Sequence, residues 1–456
     1  MTSVTRFAIA TTTRRAIATT AIATLALGLA PIARAQDAAV TRPRAVTPDA
    51  RAQSSAPKAD PPAAGADDAD HAGVLAHLRD GLGRLADAGL HPAVGIVVAG
   101  SSLSFGIEAR DERFGTAPIG GAVEAWGSLR GYQVYAARLG RIADRDTTLR
   151  LAPADENLTG LFDDGHAAAP GFALYVDARY RDYPRMHFYG IGADAVPAVR
   201  ADYGVAGTTM DVVAQWQRRP WLGFAARAGV TDLDVGRGSD SHTPDVEDAF
   251  GPDGAPGLRR HPRFLAVGVA AAIDRRRGPE AAGDRPPPRG APSSGAFVGA
   301  AIWHFHALNG EAGDVTRVAI DGRRYWTAGT PDRVIAVRGL LSIDRTPDGA
   351  PTPFYLQYSL GGGEVLRGFD NFRYRGQALA ATSVELRLRV RRLIEVAPFV
   401  DAGLAAARVG SLGDGPLHVS PGLGLRVRTD ERVLFRMDWA IGSDGQRVAF
   451  AFSQSF

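Results

Sequence analysis

The chain has 456 residues, of which 45% are hydrophobic and 22% charged; its formal net charge is +3 and it contains no cysteine. The lack of cysteine excludes disulfides and thiolate metal sites. The first 35 residues hold four arginines and no acid, so the remainder carries 48 basic and 49 acidic residues. The overall charge therefore gives no argument for nucleic-acid binding.

The first 35 residues have the pattern of a cleaved secretory signal peptide. Basic residues Arg14 and Arg15 precede an apolar stretch at 16–30, and Ala33 and Ala35 supply the small residues of a cleavage site. Residues 36–67 are rich in alanine and proline and predict a disordered linker. Residues 68–92 carry leucines three and four positions apart, which predicts a short amphipathic helix.

From residue 93 to 456 the sequence alternates between apolar and polar residues in segments bounded by Gly, Asp and Pro. The alternation predicts sixteen strands, over 93–100, 102–112, 119–140, 171–183, 203–218, 221–235, 263–275, 296–308, 314–328, 332–344, 353–360, 378–392, 394–406, 417–429, 432–441 and 446–456. The segment 119–140 is long enough to contain two strands.

The charge on the polar faces distinguishes two all-β architectures. In 378–392, for example, Val384 and Leu386 alternate with Glu385 and Arg387. A soluble sandwich also alternates, but the apolar faces here extend over nearly every strand. No apolar run after the signal is long enough for a spanning helix. We therefore expect a transmembrane antiparallel β-barrel of about sixteen strands, with apolar residues toward lipid and charged residues toward the lumen.

The last predicted strand places Phe450, Phe452 and Phe456 on one face and ends on an aromatic residue. This pattern suits the closing strand of a membrane barrel. The alternative for this segment alone is the edge strand of a soluble sandwich.

The segment 361–377 lies between two predicted strands and is unusually rich in arginine and aromatic residues for an exposed loop. It contains the run Leu366, Arg367, Gly368 and Phe369. Two strand motifs follow in order. The first consists of Phe399, Asp401 and Gly403, and the second of Gly422, Gly424 and Arg426.

These motifs, with the terminal Phe456, resemble those of the BamA/TamA family, also called the bacterial surface antigen superfamily. The resemblance covers about residues 100–456. It implies that the loop near 361–377 folds into the lumen and that Phe456 belongs to the signal recognised by the barrel-assembly machinery.

Arg367 on such an inward loop carries a permanent charge and needs an acceptor. The family resemblance implies an ion pair with Asp401. Alternation also points Glu385 and Asp438 inward, and either could replace Asp401.

The resemblance implies a protein of the Gram-negative outer membrane that assists insertion or translocation of proteins or lipids. The expected partners are outer-membrane lipid, the barrel-assembly machinery and a separate periplasmic protein, because the segment before the barrel is too short for a POTRA domain. A passive pore or structural protein is the alternative. We expect no cofactor, no nucleic acid and no enzymatic activity.

Two further features of the sequence give weaker indications of function, namely a metal site and a lipase activity. His304 and His306 share a strand face, so they could supply two ligands to one metal ion, but no carboxylate lies beside them in the sequence. Trp303 and Phe305 take the opposite face, where an aromatic girdle toward lipid is expected. An outer-membrane lipase is a third alternative, although the sequence has no nucleophile elbow.

Overall fold

The computed structural model describes residues 89–111, 119–141, 170–192, 195, 199–258, 261–277, 292–310, 312–429 and 433–452. The predicted signal peptide, linker and most of the predicted helix lie outside the described residues, as does Phe456. The chain divides into two compact units at Pro92 and Ala93. The second unit contains nearly all of the described residues.

Eighteen strands and one α-helix are described. The strands are β1 (Leu90–Gly95), β2 (Ser104–Asp111), β3 (Gly120–Ser128), β4 (Gln133–Arg141), β5 (Gly171–Phe188), β6 (Ala201–Arg219), β7 (Leu222–Arg237), β8 (Arg263–Asp274), β9 (Gly295–Ala307), β10 (Val315–Thr327), β11 (Arg333–Arg345), β12 (Ser359–Leu360), β13 (Tyr374–Arg375), β14 (Ala378–Arg391), β15 (Ile394–Ala406), β16 (His418–Arg428), β17 (Val433–Gly442) and β18 (Gly445–Ala451). The helix is α1 (Val246–Gly254).

Sixteen strands form one sheet in sequence order from β1 to β11 and then from β14 to β18, while β12 and β13 pair separately. The sheet is a nearly closed antiparallel barrel, which confirms the predicted fold class. Because successive strands alternate in direction, their connections alternate between two ends. We call the end that carries the β11–β14 connection the loop end, and the opposite one, with the β6–β7 turn, the turn end.

The two faces of the wall differ as the alternation predicts. In β14, Val384 is 44% exposed on the outside, whereas the adjacent Glu385 is fully buried on the inside. The same holds in β15 for Val400, 47% exposed, and Asp401, fully buried. Apolar side chains thus cover the outer surface and ionised side chains line the lumen.

At the loop end, α1 packs in the β7–β8 connection. Its Phe250 ring lies 4.9 Å from Phe188 of β5, and Phe188 lies 5.0 Å from Phe354 of the β11–β14 connection. This aromatic group joins the helix to the long connection. No helix in the described part of the chain is long and apolar enough to cross a membrane.

The predicted total of sixteen barrel strands agrees with the structure, but two segments contribute differently from the list of strands given above, and only the second of them is wrong. The segment 119–140 forms two strands, β3 and β4, around a turn. The segment 353–360 is not a barrel strand, since Phe354, Leu356 and Tyr358 are all buried and the backbone turns at Pro353. Its alternation comes from packing inside the barrel, where apolar side chains contact protein on several sides.

The predicted girdle position of Trp303 and Phe305 is also wrong. Their side chains are only 1% and 2% exposed and face the lumen, while His304 and His306 face outward. The lumen at this level is filled by aromatic rings, because Phe305 packs edge-on against Phe264. In this strand the apolar pair therefore points inward.

Candidate functional site

The connection between β11 and β14 enters the lumen as a compact loop, residues 361–373, which we call the inward loop. Its base is closed by the pairing of β12 with β13. Gly361 has a φ of 107°, and a Cβ there would lie 2.2 Å from the Asp370 carbonyl oxygen. Leu366 also adopts a left-handed φ, of 55°, which a non-glycine residue keeps only where its surroundings hold it.

Arg367 of the inward loop is bound directly to two buried carboxylates. Its Nε and Nη2 atoms donate to Asp401 Oδ2 and Oδ1 at 2.9 and 2.7 Å, which is a bidentate pair. Its Nη1 atom donates to Glu385 Oε1 at 2.7 Å and lies 3.4 Å from Asp438 Oδ2. Of the three inward acids considered from the sequence, Asp401 and Glu385 bind Arg367 most closely.

The guanidinium of Arg367 is held in its charged form. Burial disfavours the charge, but the carboxylates of Asp401 and Glu385 outweigh it and raise the pKa of Arg367 above its ordinary value. Phe399 adds a further contact, with Arg367 Cζ 3.3 Å from the ring centroid. The loop is thus fixed to β14 and β15 by charge, hydrogen bonds and an aromatic face.

Glu385 connects this pair to other lumen arginines. Its Oε1 atom also accepts from Arg426 Nη2 at 2.9 Å, and its Oε2 atom accepts from Arg387 Nε at 2.9 Å. On β17, Arg436 lies 3.2 Å from Asp438. We call this set the lumen network; it consists of Arg367, Glu385, Arg387, Asp401, Arg426, Arg436 and Asp438.

The glycines of the strand motifs make room for the loop and the network. A Cβ on Gly403 would lie 2.8 Å from Leu366 Cδ1, and one on Gly422 would lie 2.3 Å from Phe399 Cζ. At Gly424 the close atom is Asp438 Oδ1, at 2.5 Å. Side chains at these positions would displace groups that position Arg367.

Gly368 and Phe369 continue the packing toward β16. The Gly368 amide donates to Ser420 Oγ at 2.7 Å, and the Phe369 ring packs edge-on against Tyr374 and His418. A Cβ on Gly368 would lie 2.6 Å from the Ile441 carbonyl carbon. The structure thus brings Leu366 through Phe369 into contact with β15, β16 and β17.

Two serines of the site were missed from the sequence. Ser383 donates to Asp401 Oδ1 at 2.6 Å and accepts from Arg367 Nη2 at 3.1 Å. Ser420, described above, binds the Gly368 amide. Ser383 lies two residues before the inward acid Glu385, and Ser420 lies two residues before the motif glycine Gly422. Each serine is therefore on the inward face, which is the signal that could have identified it.

The tip of the inward loop contacts the last hairpin. Arg373 Nε donates to Asp444 Oδ2 at 2.6 Å in the β17–β18 turn. Arg447 of β18 donates to the Phe369 carbonyl oxygen and, at 3.4 Å, to Asn371 Oδ1. The loop therefore joins the lumen network to β18, an end strand of the sheet.

The other predicted positions lie apart from this site. Phe450 of β18 and Phe452, just after that strand, are 52% and 41% exposed and pack against Phe435. His306 Nδ1 lies 3.0 Å from Asp314 Oδ2, and His304 Nδ1 lies 3.0 Å from Thr316 Oγ1. Within the described ranges, no group of three or more metal-binding side chains is present.

Comparisons with known proteins agree with this architecture. The Omp85 superfamily domain matches residues 289–456. The crystal structure of BamA from Haemophilus ducreyi lacking POTRA domains 1–3 is similar, with a TM-score of 0.52 and 15% identity over 79% of this chain and 68% of that chain. None of the curated proteins compared matches the chain.

Two structures of CdiB are weaker matches. The protein from Acinetobacter baumannii has a TM-score of 0.45 and 13% identity, and the one from Escherichia coli has 0.46 and 12%. This chain covers 58% and 62% of their lengths and 79% of its own in both cases. The BamA likeness supports the barrel fold, and the domain match includes the inward loop and its partners. Residues 289–456 are therefore an Omp85 superfamily domain, as the loop and strand motifs indicate.

Proposed function

We propose that the protein is an outer-membrane barrel, exported through a cleaved signal peptide, that assists the insertion or translocation of polypeptides or lipids. Residues 289–456 match the Omp85 superfamily domain, and barrels of that superfamily reside in the outer membrane. The resemblance of the loop and strand motifs to the BamA/TamA family supports insertion or translocation as the activity. In this proposal the barrel acts by parting its end strands, β1 and β18, at the seam.

The observation that carries the proposal is the contact between the inward loop and β18. Arg367 fixes one side of the loop to β14 and β15, while Arg373 and Arg447 join its tip to the last hairpin. A change in the loop would therefore act directly on the strand that has to move. Such a link has no evident use in a rigid pore.

The lengths of the end strands support an opening at the seam. β1 has 6 residues and β18 has 7, whereas β6 has 19. In the sheet order β1 and β18 stand at opposite ends, so each has one paired neighbour. Separating the barrel at this seam therefore breaks fewer hydrogen bonds than separating two long strands in the wall.

The dryness of the lumen argues against the passive pore. Lumen-facing Arg317, Glu385 and Arg426 are fully buried, although side chains lining a water-filled channel would be exposed. Packed side chains fill this part of the lumen. Passage through the centre would require the inward loop to leave.

We further propose that a separate periplasmic protein supplies substrate capture and that the barrel has no catalytic role. The barrel would itself be assembled by the barrel-assembly machinery. These parts of the proposal follow from the resemblance and are tested by isolating proteins bound to the purified barrel.

A disulfide between the inward loop and β18 tests the proposal directly. A Cβ on Gly363 would lie 3.6 Å from Ala449 Cβ, within the range for a disulfide. Because the chain has no cysteine, Gly363→Cys with Ala449→Cys introduces one defined pair. The assay measures how fast a second, urea-unfolded barrel folds into liposomes that contain the protein.

We expect the unmodified protein and the reduced double variant to accelerate folding, and the oxidised double variant to lose that acceleration. Each single cysteine variant, treated with oxidant, is the matched control and should keep it. Single-channel conductance without any acceleration by the unmodified protein would instead support the pore. Equal acceleration by the oxidised and reduced forms would exclude a role for loop release.

A further inference from the structure

The outer surface at the turn end carries three pairs of tryptophan and arginine. Arg275 Cζ lies 4.8 Å from the ring centroid of Trp221, and Arg324 Cζ lies 5.3 Å from that of Trp326. A third pair joins Arg218 to Trp216 at 5.9 Å. All three tryptophans are well exposed, at 38% to 48%. These rings lie where a membrane barrel meets the headgroup layer.

Two of these arginines lie in one row across neighbouring strands. Ala296 of β9 is the register partner of Arg324 on β10, and its carbonyl accepts a hydrogen bond from the Arg275 amide just beyond β8. The two arginines are therefore two strand spacings apart, about 10 Å, with only a methyl group between them. Both side chains are exposed on the outer surface, each beside the ring of an exposed tryptophan.

Neither arginine is neutralised by a neighbour in the described part of the chain, where Arg275 and Arg324 form no ion pair. From the end of β6 to the start of β15, the described turn-end residues include eight exposed arginines and one exposed acid, Asp332. The arginines are Arg218, Arg219, Arg275, Arg277, Arg324, Arg333, Arg391 and Arg392. This rim is strongly basic.

We propose that the outer surface between Arg275 and Arg324 binds the phosphate headgroup of an anionic phospholipid. The two guanidinium groups would donate to the phosphate oxygens, as arginine does in other phosphate sites. Trp221 and Trp326 would border the headgroup, and the acyl chains would lie along the apolar outer surface formed by Ile273 and Val298. The site does not depend on the proposed function and would serve a pore equally well.

The anionic lipid is favoured over other occupants by charge and by position. The surface between the two arginines adjoins apolar outer wall, since the nearby Ile273 and Val298 are 47% and 52% exposed. A soluble acidic peptide would gain nothing from these apolar neighbours. A zwitterionic lipid would gain these apolar contacts but less attraction to the basic side chains of the described rim.

Native mass spectrometry of the full-length protein in detergent tests the site, with equal amounts of phosphatidylglycerol and phosphatidylcholine. We expect the protein to retain phosphatidylglycerol preferentially. In Arg275→Gln with Arg324→Gln, its affinity should fall about 25-fold, since each interfacial arginine contributes roughly fivefold. Retention of phosphatidylcholine should not change.

Two variants separate the site from general charge. Arg345→Gln removes an exposed, outward arginine at the loop end and should leave the preference intact. Arg275→Lys with Arg324→Lys keeps both positive charges and should keep most of the preference for phosphatidylglycerol. The heat-dependent gel mobility of each variant shows that the barrel is folded. An unmodified protein without preference, an unaffected double glutamine variant, or an equal loss in Arg345→Gln would overturn the proposal.

Discussion

Arg367 is a permanent positive charge in a place that water does not reach, so its partners decide whether the inward loop stays in the lumen. The network supplies two carboxylates within 2.7 Å and the face of Phe399. Replacing a whole buried ion pair by apolar groups often leaves stability unchanged. Removing only one partner is destabilising, because the other charge stays buried without a counter-charge. The main effect of the lumen network is therefore to hold the inward loop in the lumen, rather than to add to the overall stability of the barrel.

Replacing Arg367 with alanine should leave an assembled but destabilised barrel. The change leaves the carboxylates of Asp401 and Glu385 buried without the arginine. Breaking a buried ion pair in this way lowers the free energy of unfolding by about 3–5 kcal/mol. We expect a lower unfolding midpoint in urea and faster proteolysis within residues 361–373. Arg345→Ala, which removes an exposed arginine of β11, is the control. Unchanged heat stability together with unchanged loop proteolysis would contradict this expectation.

Gly422→Ala tests the space that the strand motif provides. The added Cβ would lie 2.3 Å from Phe399 Cζ and 2.5 Å from the Trp439 carbonyl oxygen, and overpacking of this kind costs about 1–3 kcal/mol. Gly339→Ala is the matched control, because a Cβ there meets no atom within 4 Å. The unfolding midpoint should fall for Gly422→Ala and hardly move for Gly339→Ala. Equal midpoints would mean that the motif glycine has another role.

How far the sequence predicts this site depends on the kind of contact. Alternation predicts that Asp401, Glu385 and Asp438 face inward, since the period of a strand is two. It does not show which of them Arg367 binds, because that depends on the depth to which the loop enters. The contacts of Arg373 with Asp444 and of Arg447 with Phe369 join residues more than 70 positions apart, and no local pattern encodes them.

At the scale of elements, the same reasoning predicts the strands well where the wall separates lipid from a charged lumen. It fails where both sides are apolar. The segment 353–360 lies inside the barrel, and Phe305 faces an aromatic lumen, so hydrophobicity alone gives the wrong surroundings for both. In β14 and β15, where the lumen is charged, the predicted faces match the structure.

The tip of the inward loop should become more mobile when its link to the last hairpin is removed. Asp444→Ala deletes the acceptor of Arg373, a partly buried pair at 2.6 Å. Hydrogen exchange of the amides in 369–373 should become faster, while Arg367 keeps the base of the loop in place. Asp414→Ala, which removes an exposed aspartate of the β15–β16 connection at the same end of the barrel, should leave the exchange unchanged. Slow exchange in both variants would show that the remaining contacts, from Arg447 and from Tyr189 to Asp370, hold the tip.

At the scale of the whole barrel, the wall is uneven. Long strands such as β5 and β6, with 18 and 19 residues, pair along most of their length. β18 has 7 residues and is an end strand of the sheet. Since cooperative units open with free energies that follow their packing and pairing, the seam should be the least stable part of the wall.

Hydrogen exchange across the folded barrel in lipid should show this difference. Amides of β18 and β1 should exchange on the order of tenfold faster, or more, than those of β6 and β14, because few ladder bonds hold the end strands. The oxidised pair Gly363→Cys with Ala449→Cys should slow the exchange of β18 toward that of β14 and leave β6 unchanged. If the amides of β18 are as well protected as those of β6 in the protein without the disulfide, the seam is as stable as the rest of the wall. That result would contradict opening of the barrel at the seam.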